Sequence, residues 1–228
     1  MMLGGEKLRV RLELEEELAD LSHWRCLDEF GKWTAEAGGI VGEWVERSPS
    51  IFFDGKIESD FLWQVTAARE KPDEDFVRRF TASKWGGGVD PAFKYNFNFW
   101  LRADSPSGGD FFGEYPAKLG TGWNGMGDDH WRSYFTTVVR SPGEDWVRLR
   151  RSPGYVMVED VHGVVPHLPY GEAHEFTFLL REGRVKMFFD DRCVYDHAEP
   201  GMYEAGYIGL CVWLARVRFS GMRLYRFD

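Results

Sequence analysis

Cysteine is scarce and unpatterned in this chain. Cys26, Cys193 and Cys211 are the only three, and none has CxxC spacing. An odd, scattered set argues against a disulfide framework or a zinc site, and no HExxH pairing appears among the six histidines. Long apolar runs are missing too. Nothing approaches the ~20 residues of a membrane span, and the opening MMLGGEKLRVRLELEEE has no apolar signal-peptide core. The expectation is a cytoplasmic protein with no membrane partner. Positive charge is in deficit: 28 Lys and Arg stand against 37 Asp and Glu, for a net charge of −9. That balance excludes a general nucleic-acid binder, because phosphate backbones reward basic surfaces. GxSxG, P-loop and strand-linked GxGxxG motifs are absent, as is a short ExDxE run that would set two carboxylates on one strand.

Aromatic residues are abundant, at 16% of the chain. Tryptophan and tyrosine suit surfaces that are half apolar and half wet, such as those that stack on sugars, although a β-core also uses them. Helical signals are scarce: residues 13–21 are the best helix candidate, although the preceding LRVRLEL alternates like a strand, and residues 71–83 are a second helix candidate or a polar loop. Elsewhere the period is two, broken by Gly, Pro, Asp and Ser. Strands are predicted at 8–14, 31–36, 39–46, 50–53, 57–69, 93–103, 133–140, 146–151, 154–159, 173–181, 184–190, 193–196, 205–214 and 216–227. Short turns at Glu182-Gly183 and Asp190–Arg192 favour antiparallel hairpins. The fold class predicted is all-β: one antiparallel two-sheet β-sandwich or jelly roll over residues 1–228.

The strand Phe93–Arg102 is the most informative. Alternation puts Tyr95, Phe97, Phe99 and Leu101 on one face. Lys94, Asn96, Asn98, Trp100 and Arg102 fall on the other. Amides donate and accept at once, which matches sugar hydroxyls, and an indole offers an apolar plate. These five are candidate substrate-binding residues; an ordinary solvated face is the plainer alternative. Trp146, Arg148 and Arg150 share a later strand face. Two guanidiniums there fit an anionic group such as a uronate carboxylate, or simple pairing with the many acids. The irregular stretch from Asp104 to Arg132 is long enough to be functional. It carries Trp123, a candidate stacking residue, and His130, flanked by Asp128 and Asp129. His130, Tyr134 and Arg148 form the candidate catalytic set, with His130 or Tyr134 as acid or base.

The C-terminal segment reads Gly206-Tyr207-Ile208-Gly209-Leu210, then Val217-Arg218-Phe219-Ser220-Gly221-Met222-Arg223-Leu224. It resembles the concanavalin-A-like lectin and glucanase superfamily. With Tyr134-Phe135 and the basic run Arg148–Tyr155, the chain is most similar within it to the YesU-like bacterial family of unknown function. The 3-keto-glycoside hydrolase group is a more distant likeness. The resemblance covers roughly residues 50–227. It implies a jelly roll with ligand on the concave sheet, plant or bacterial polysaccharide as context, and at most a structural calcium ion as cofactor. It transfers no catalytic set.

Three readings follow. One is an enzyme that cleaves a glycosidic linkage in a pectin-type or uronate-containing oligosaccharide, as a glycoside hydrolase or polysaccharide lyase. Another is a non-catalytic carbohydrate-binding module, and the third a protein-interaction domain. A lyase would use Arg to stabilise developing enolate charge. Elimination would release an ultraviolet-absorbing unsaturated product, hydrolysis new reducing ends without it, and a binding module neither.

Overall fold

The computed structural model describes residues 1–26, 31–46, 48–118 and 131–228. Strands come in chain order as β1 (Met2–Leu3), β2 (Glu6–Lys7), β3 (Val10–Glu16), β4 (Trp24–Cys26), β5 (Gly31–Glu36), β6 (Gly39–Trp44), β7 (Ser50–Phe53) and β8 (Phe61–Arg69). Helix α1 (Glu74–Ala82) precedes β9 (Tyr95–Asp104), and helix α2 (Phe111–Lys118) follows it. Then come β10 (Arg132–Ser141), β11 (Glu144–Ser152), β12 (Val156–His162), β13 (Ala173–Arg181), β14 (Arg184–Phe189), β15 (Arg192–Ala198), β16 (Tyr207–Trp213) and β17 (Arg216–Phe227).

These form an antiparallel β-sandwich. One sheet runs β12-β11-β10-β9-β16-β7-β4, and the other β15-β14-β13-β8-β17-β6-β5, with β3 paired to the far half of β17. Period-two segments with short turns find this arrangement because each strand can bury one face. The inner faces meet in one core. Phe97 and Phe99 of the first sheet pack on Phe176 and Phe178 of the second, with centroids 4.8–5.4 Å apart. Trp63 closes on Phe99 and Phe178. Such pairs add about 0.5–1.5 kcal/mol each beyond area burial.

Residues 71–83 do contain a helix, α1, capped by Asp73, whose carboxylate accepts from the Phe76 N–H. Residues 13–21 do not. The alternation of Val10–Glu16 wins there, because β17 offers a partner strand over Val10–Glu16. Strand β4 was not expected from sequence, and β8 begins at Phe61 rather than at residue 57. The stretch between β9 and β10 contains α2.

Strand β17 changes face midway. Val217 and Phe219 point inward, then Met222 and Leu224 do, so the parity switches from odd to even. The switch is a bulge at Gly221, which sits at φ +60° where the pairing with β8 slips between Ser220 and Met222. A Cβ there would find room, its nearest neighbour being Thr66 Oγ1 at 3.9 Å, so the constraint is conformational. Gly221→Ala is expected to lower unfolding stability by about 1–2 kcal/mol, and Gly221→Asn by less. Urea denaturation measures this; an unchanged or raised midpoint for the alanine variant would contradict it.

Candidate functional site

The outer face of the first sheet is organised by register. Trp213, Asn96, Val139 and Trp146 lie side by side in one row across β16, β9, β10 and β11. Two residues along, the next row is Ser50, Cys211, Asn98, Thr137, Arg148 and Asp160. The third is Phe52, Gly209, Trp100, Phe135, Arg150 and Met157. A cleft of about 280 Å³ opens over the first row and part of the others. Its lining includes Lys94, Asn96, Thr137, Trp146, Arg148, Arg150, Tyr155 and Trp213.

The two arginines differ. Arg148 is held by Asp160 through two bonds, Nε to Oδ1 at 2.9 Å and an NH2 to Oδ2 at 3.2 Å. That pairing holds the Asp160 carboxyl below its ordinary value. The Arg148 guanidinium also stacks on the Trp146 indole at 3.7 Å. Arg150 has no carboxylate within ion-pair distance among the described residues. Its NH1 donates to Thr137 Oγ1 at 3.4 Å, and its guanidinium sits 4.7 Å from the Tyr155 ring. Burial lowers the Arg150 pKa, with nearby Arg148 adding to the effect. Burial raises that of the Tyr155 phenol. At the rim, Arg140 is paired with Asp145 at 2.9 Å, while Lys94 shows no carboxylate partner among the described residues. The lining thus contributes four cations against one carboxylate, Glu144, on a chain of net charge −9.

The floor is also unusual. Asn96 and Asn98 each keep a buried Oδ1 with no hydrogen-bond donor among the described residues. Uncompensated acceptors of this kind cost about 1–3 kcal/mol, and where they persist they ask for an explanation such as a ligand or ordered water.

The open face expected of Lys94, Asn96, Asn98, Trp100 and Arg102 is only partly what the structure has. Lys94 and Asn96 line the cleft. Asn98 is on the same face but fully buried, its Nδ2 donating to Cys211 Sγ at 3.6 Å. Trp100 is also on that face and fully buried. Its ring meets Phe135 at 4.4 Å and Phe52 at 5.7 Å, and its Nε1 donates to Ser50 Oγ at 3.1 Å. It is packing, covered by Phe111 of α2 and by Trp131. Gly209 makes the cluster possible, since a Cβ there would lie 2.6 Å from the Phe52 ring.

Arg102 leaves the row. It sits at φ +53°, where the pairing of β9 with both neighbours slips. Strict alternation fails there. Arg102 is buried beside Phe61, donating to Ser59 O at 3.1 Å and Asp60 Oδ1 at 3.4 Å. Tyr134 is in the inter-sheet core, with its hydroxyl accepting from the Tyr203 N–H at 3.3 Å. Burial pushes its phenol well above the ordinary value. It faces away from the cleft and cannot serve there as base. His130 and Trp123 lie outside the described residues.

Trp146, Tyr155 and Trp213 complete the cleft. The signal for Trp213 was available: Cys211 and Trp213 alternate against the core residues Leu210 and Val212. Tyr155 enters from a turn at φ +49°, and no periodicity marks it. No group of three or more His, Cys, Asp or Glu that could hold a metal ion occurs among the described residues.

No protein-family model and no curated protein matches the chain. Solved structures do. A Bacillus subtilis protein of unknown function with a galectin-like fold is similar at a TM-score of 0.67 and 11% identity, over 94% of this chain and 95% of that one. A carbohydrate-binding module from Bacillus subtilis is similar at 0.56 and 16% identity, over 87% and 92%. Bacillus licheniformis β-glucanase is similar at 0.58 and 10% identity, over 98% and 100%. The fold of this chain is therefore the all-β, antiparallel jelly roll shared by concanavalin-A-like and galectin-like proteins.

Proposed function

We propose that this chain binds an acidic saccharide, of the uronate-bearing pectin type, in the cleft over Asn96, Thr137 and Arg150. The observation that carries the reading is Arg150. A half-buried guanidinium with a hydroxyl and two aromatic rings for company costs desolvation and gains no ion pair among the described residues in return. A ligand carboxylate would supply that pair. Trp146, Tyr155 and Trp213 offer apolar plates for sugar C–H faces, and the Asn96 amide offers hydroxyl chemistry. The fold neighbours include proteins named as a carbohydrate-binding module and a β-glucanase, which supports the same class of ligand. The resemblance to the YesU-like family supports pectic oligosaccharides as the first panel.

Binding is favoured over cleavage. Asp160 is committed to Arg148 and Asp145 to Arg140, Glu144 is exposed at the rim, and the Tyr155 phenol is held protonated by burial. No described pair of carboxylates faces across the cleft as acid and nucleophile or base would.

Calorimetric titration against uronate oligosaccharides tests the reading. Arg150→Met should weaken binding about 10- to 100-fold, the loss of one charge-assisted contact, while leaving unfolding stability nearly unchanged. Equal affinity in the variant would remove the role given to Arg150. Trp146→Ala should weaken binding by roughly 3- to 10-fold, whereas the buried Trp100→Phe should leave affinity alone and reduce stability. Affinity should also fall as pH drops through the ligand's own carboxylate pKa, because Arg150 stays charged there; a neutral analogue should show no such fall. A pH-independent affinity for the acidic ligand would contradict this. Assays for unsaturated products and for new reducing ends accompany the titrations, and neither product is expected.

A further inference from the structure

The outer face of the first sheet is not open along its whole length. Its third row is filled over β7, β16, β9 and β10, while Arg150 and the exposed Met157 continue it on β11 and β12. Phe52, Trp100, Phe135 and Cys211 pack with Phe111 and Trp131 into a cluster in which each is at most 2% exposed. Helix α2 supplies Phe111, whose ring meets Phe52 at 5.0 Å and Trp131 at 5.3 Å. Tyr155 forms the boundary between this cluster and the cleft, 6.4 Å from the Phe135 ring and 4.7 Å from the Arg150 guanidinium. The cleft therefore stops at Arg150 and Tyr155.

The flanks are occupied as well. Trp213 and Trp146 flank the cleft in the first row, with Asn96 and Val139 between them, and the row continues past Trp146 to His162 of β12, which is not part of the cleft lining. Trp85 backs Trp213 in an edge contact at 5.2 Å. The remaining direction runs toward Lys94, Ser141 and Glu144, where the β10–β11 hairpin is exposed. The volume of about 280 Å³ is below the roughly 300–1,000 Å³ of sites that enclose drug-sized ligands.

We infer that this site recognises the end of an acidic saccharide chain, with the terminal residue's carboxylate against Arg150 at the closed end. The inference rests on the acidic-saccharide reading and adds the mode of recognition. An internal stretch must leave its site on two sides. Here the path beyond Arg150 is taken by a packed aromatic cluster, and moving it would expose some of the most buried side chains in the protein. A chain end needs one exit, which the hairpin side provides. Arg150, at the closed end, lacks a carboxylate partner among the described residues, and Lys94, the other such cation, stands on the exit side, so the charged group enters first.

Polygalacturonate and alginate are titrated calorimetrically before and after partial acid hydrolysis, alongside their monomers, dimers and trimers. End recognition predicts that binding sites per gram of polymer rise in proportion to the new chain ends. It also predicts that a trimer binds, per mole of chain, within about 3-fold of the polymer. Sites per gram that stay constant through hydrolysis, with affinity climbing for each residue added beyond the trimer, would overturn end recognition and leave acidic-saccharide binding intact. Absence of binding by every acidic saccharide in the set would remove both.

Discussion

The pairing of β9 with β10 and β16 is the constraint on which the site depends. Setting Asn96 opposite Val139 and Trp213 opposite Asn96 puts the polar and aromatic groups of four strands into the same rows. A slip of one residue would turn Phe97 and Phe99 outward and the two asparagines into the core. The core stripe prevents that slip, because Phe97 and Phe99 are locked against Phe176 and Phe178 of the opposite sheet. Inter-sheet packing thus fixes the chemistry of the outer face.

On that face the charge pattern opposes the chain as a whole. The protein is acidic, with its many arginines largely paired, as Arg216 and Arg218 are with Glu36, Glu43 and Glu70. The cleft is basic. Arg148 shows what a satisfied arginine looks like in this neighbourhood: a two-bond carboxylate partner and a stacked indole. Arg150, two residues along and on the same face, has the aromatic partner without a described carboxylate. The two share a strand and a face, and differ in whether a carboxylate partner stands beside them.

Much of the fold was legible because it follows from period-two alternation and tight turns. The two-sheet antiparallel class and most strand positions came from that pattern alone. Alternation also set Asn96 apart from the core stripe and put Arg148 and Arg150 on one face of their strand, which the register with β10 makes the face of Asn96. It failed at Arg102, where a left-handed residue shifts the register, and such a bulge at a non-glycine residue leaves no compositional mark. It could not tell an open face from a covered one, so Trp100 read as a ligand group although Phe111 of α2 and Trp131 cover it, and Asn98 did although it is fully buried beside Cys211. Tyr134 misled for a related reason: its closeness in sequence to His130 suggested an acid or base, while its side chain lies in the inter-sheet core and its hydroxyl accepts from the Tyr203 N–H.

The central claim is that an acid group belongs beside Arg150. A crystal structure of the protein soaked with a galacturonate oligomer tests it directly. The account predicts a sugar ring between Trp146 and Trp213, with its carboxylate within hydrogen-bond distance of the Arg150 guanidinium. A ligand bound on another surface, or one seated in the cleft with only neutral hydroxyls near Arg150, would contradict it.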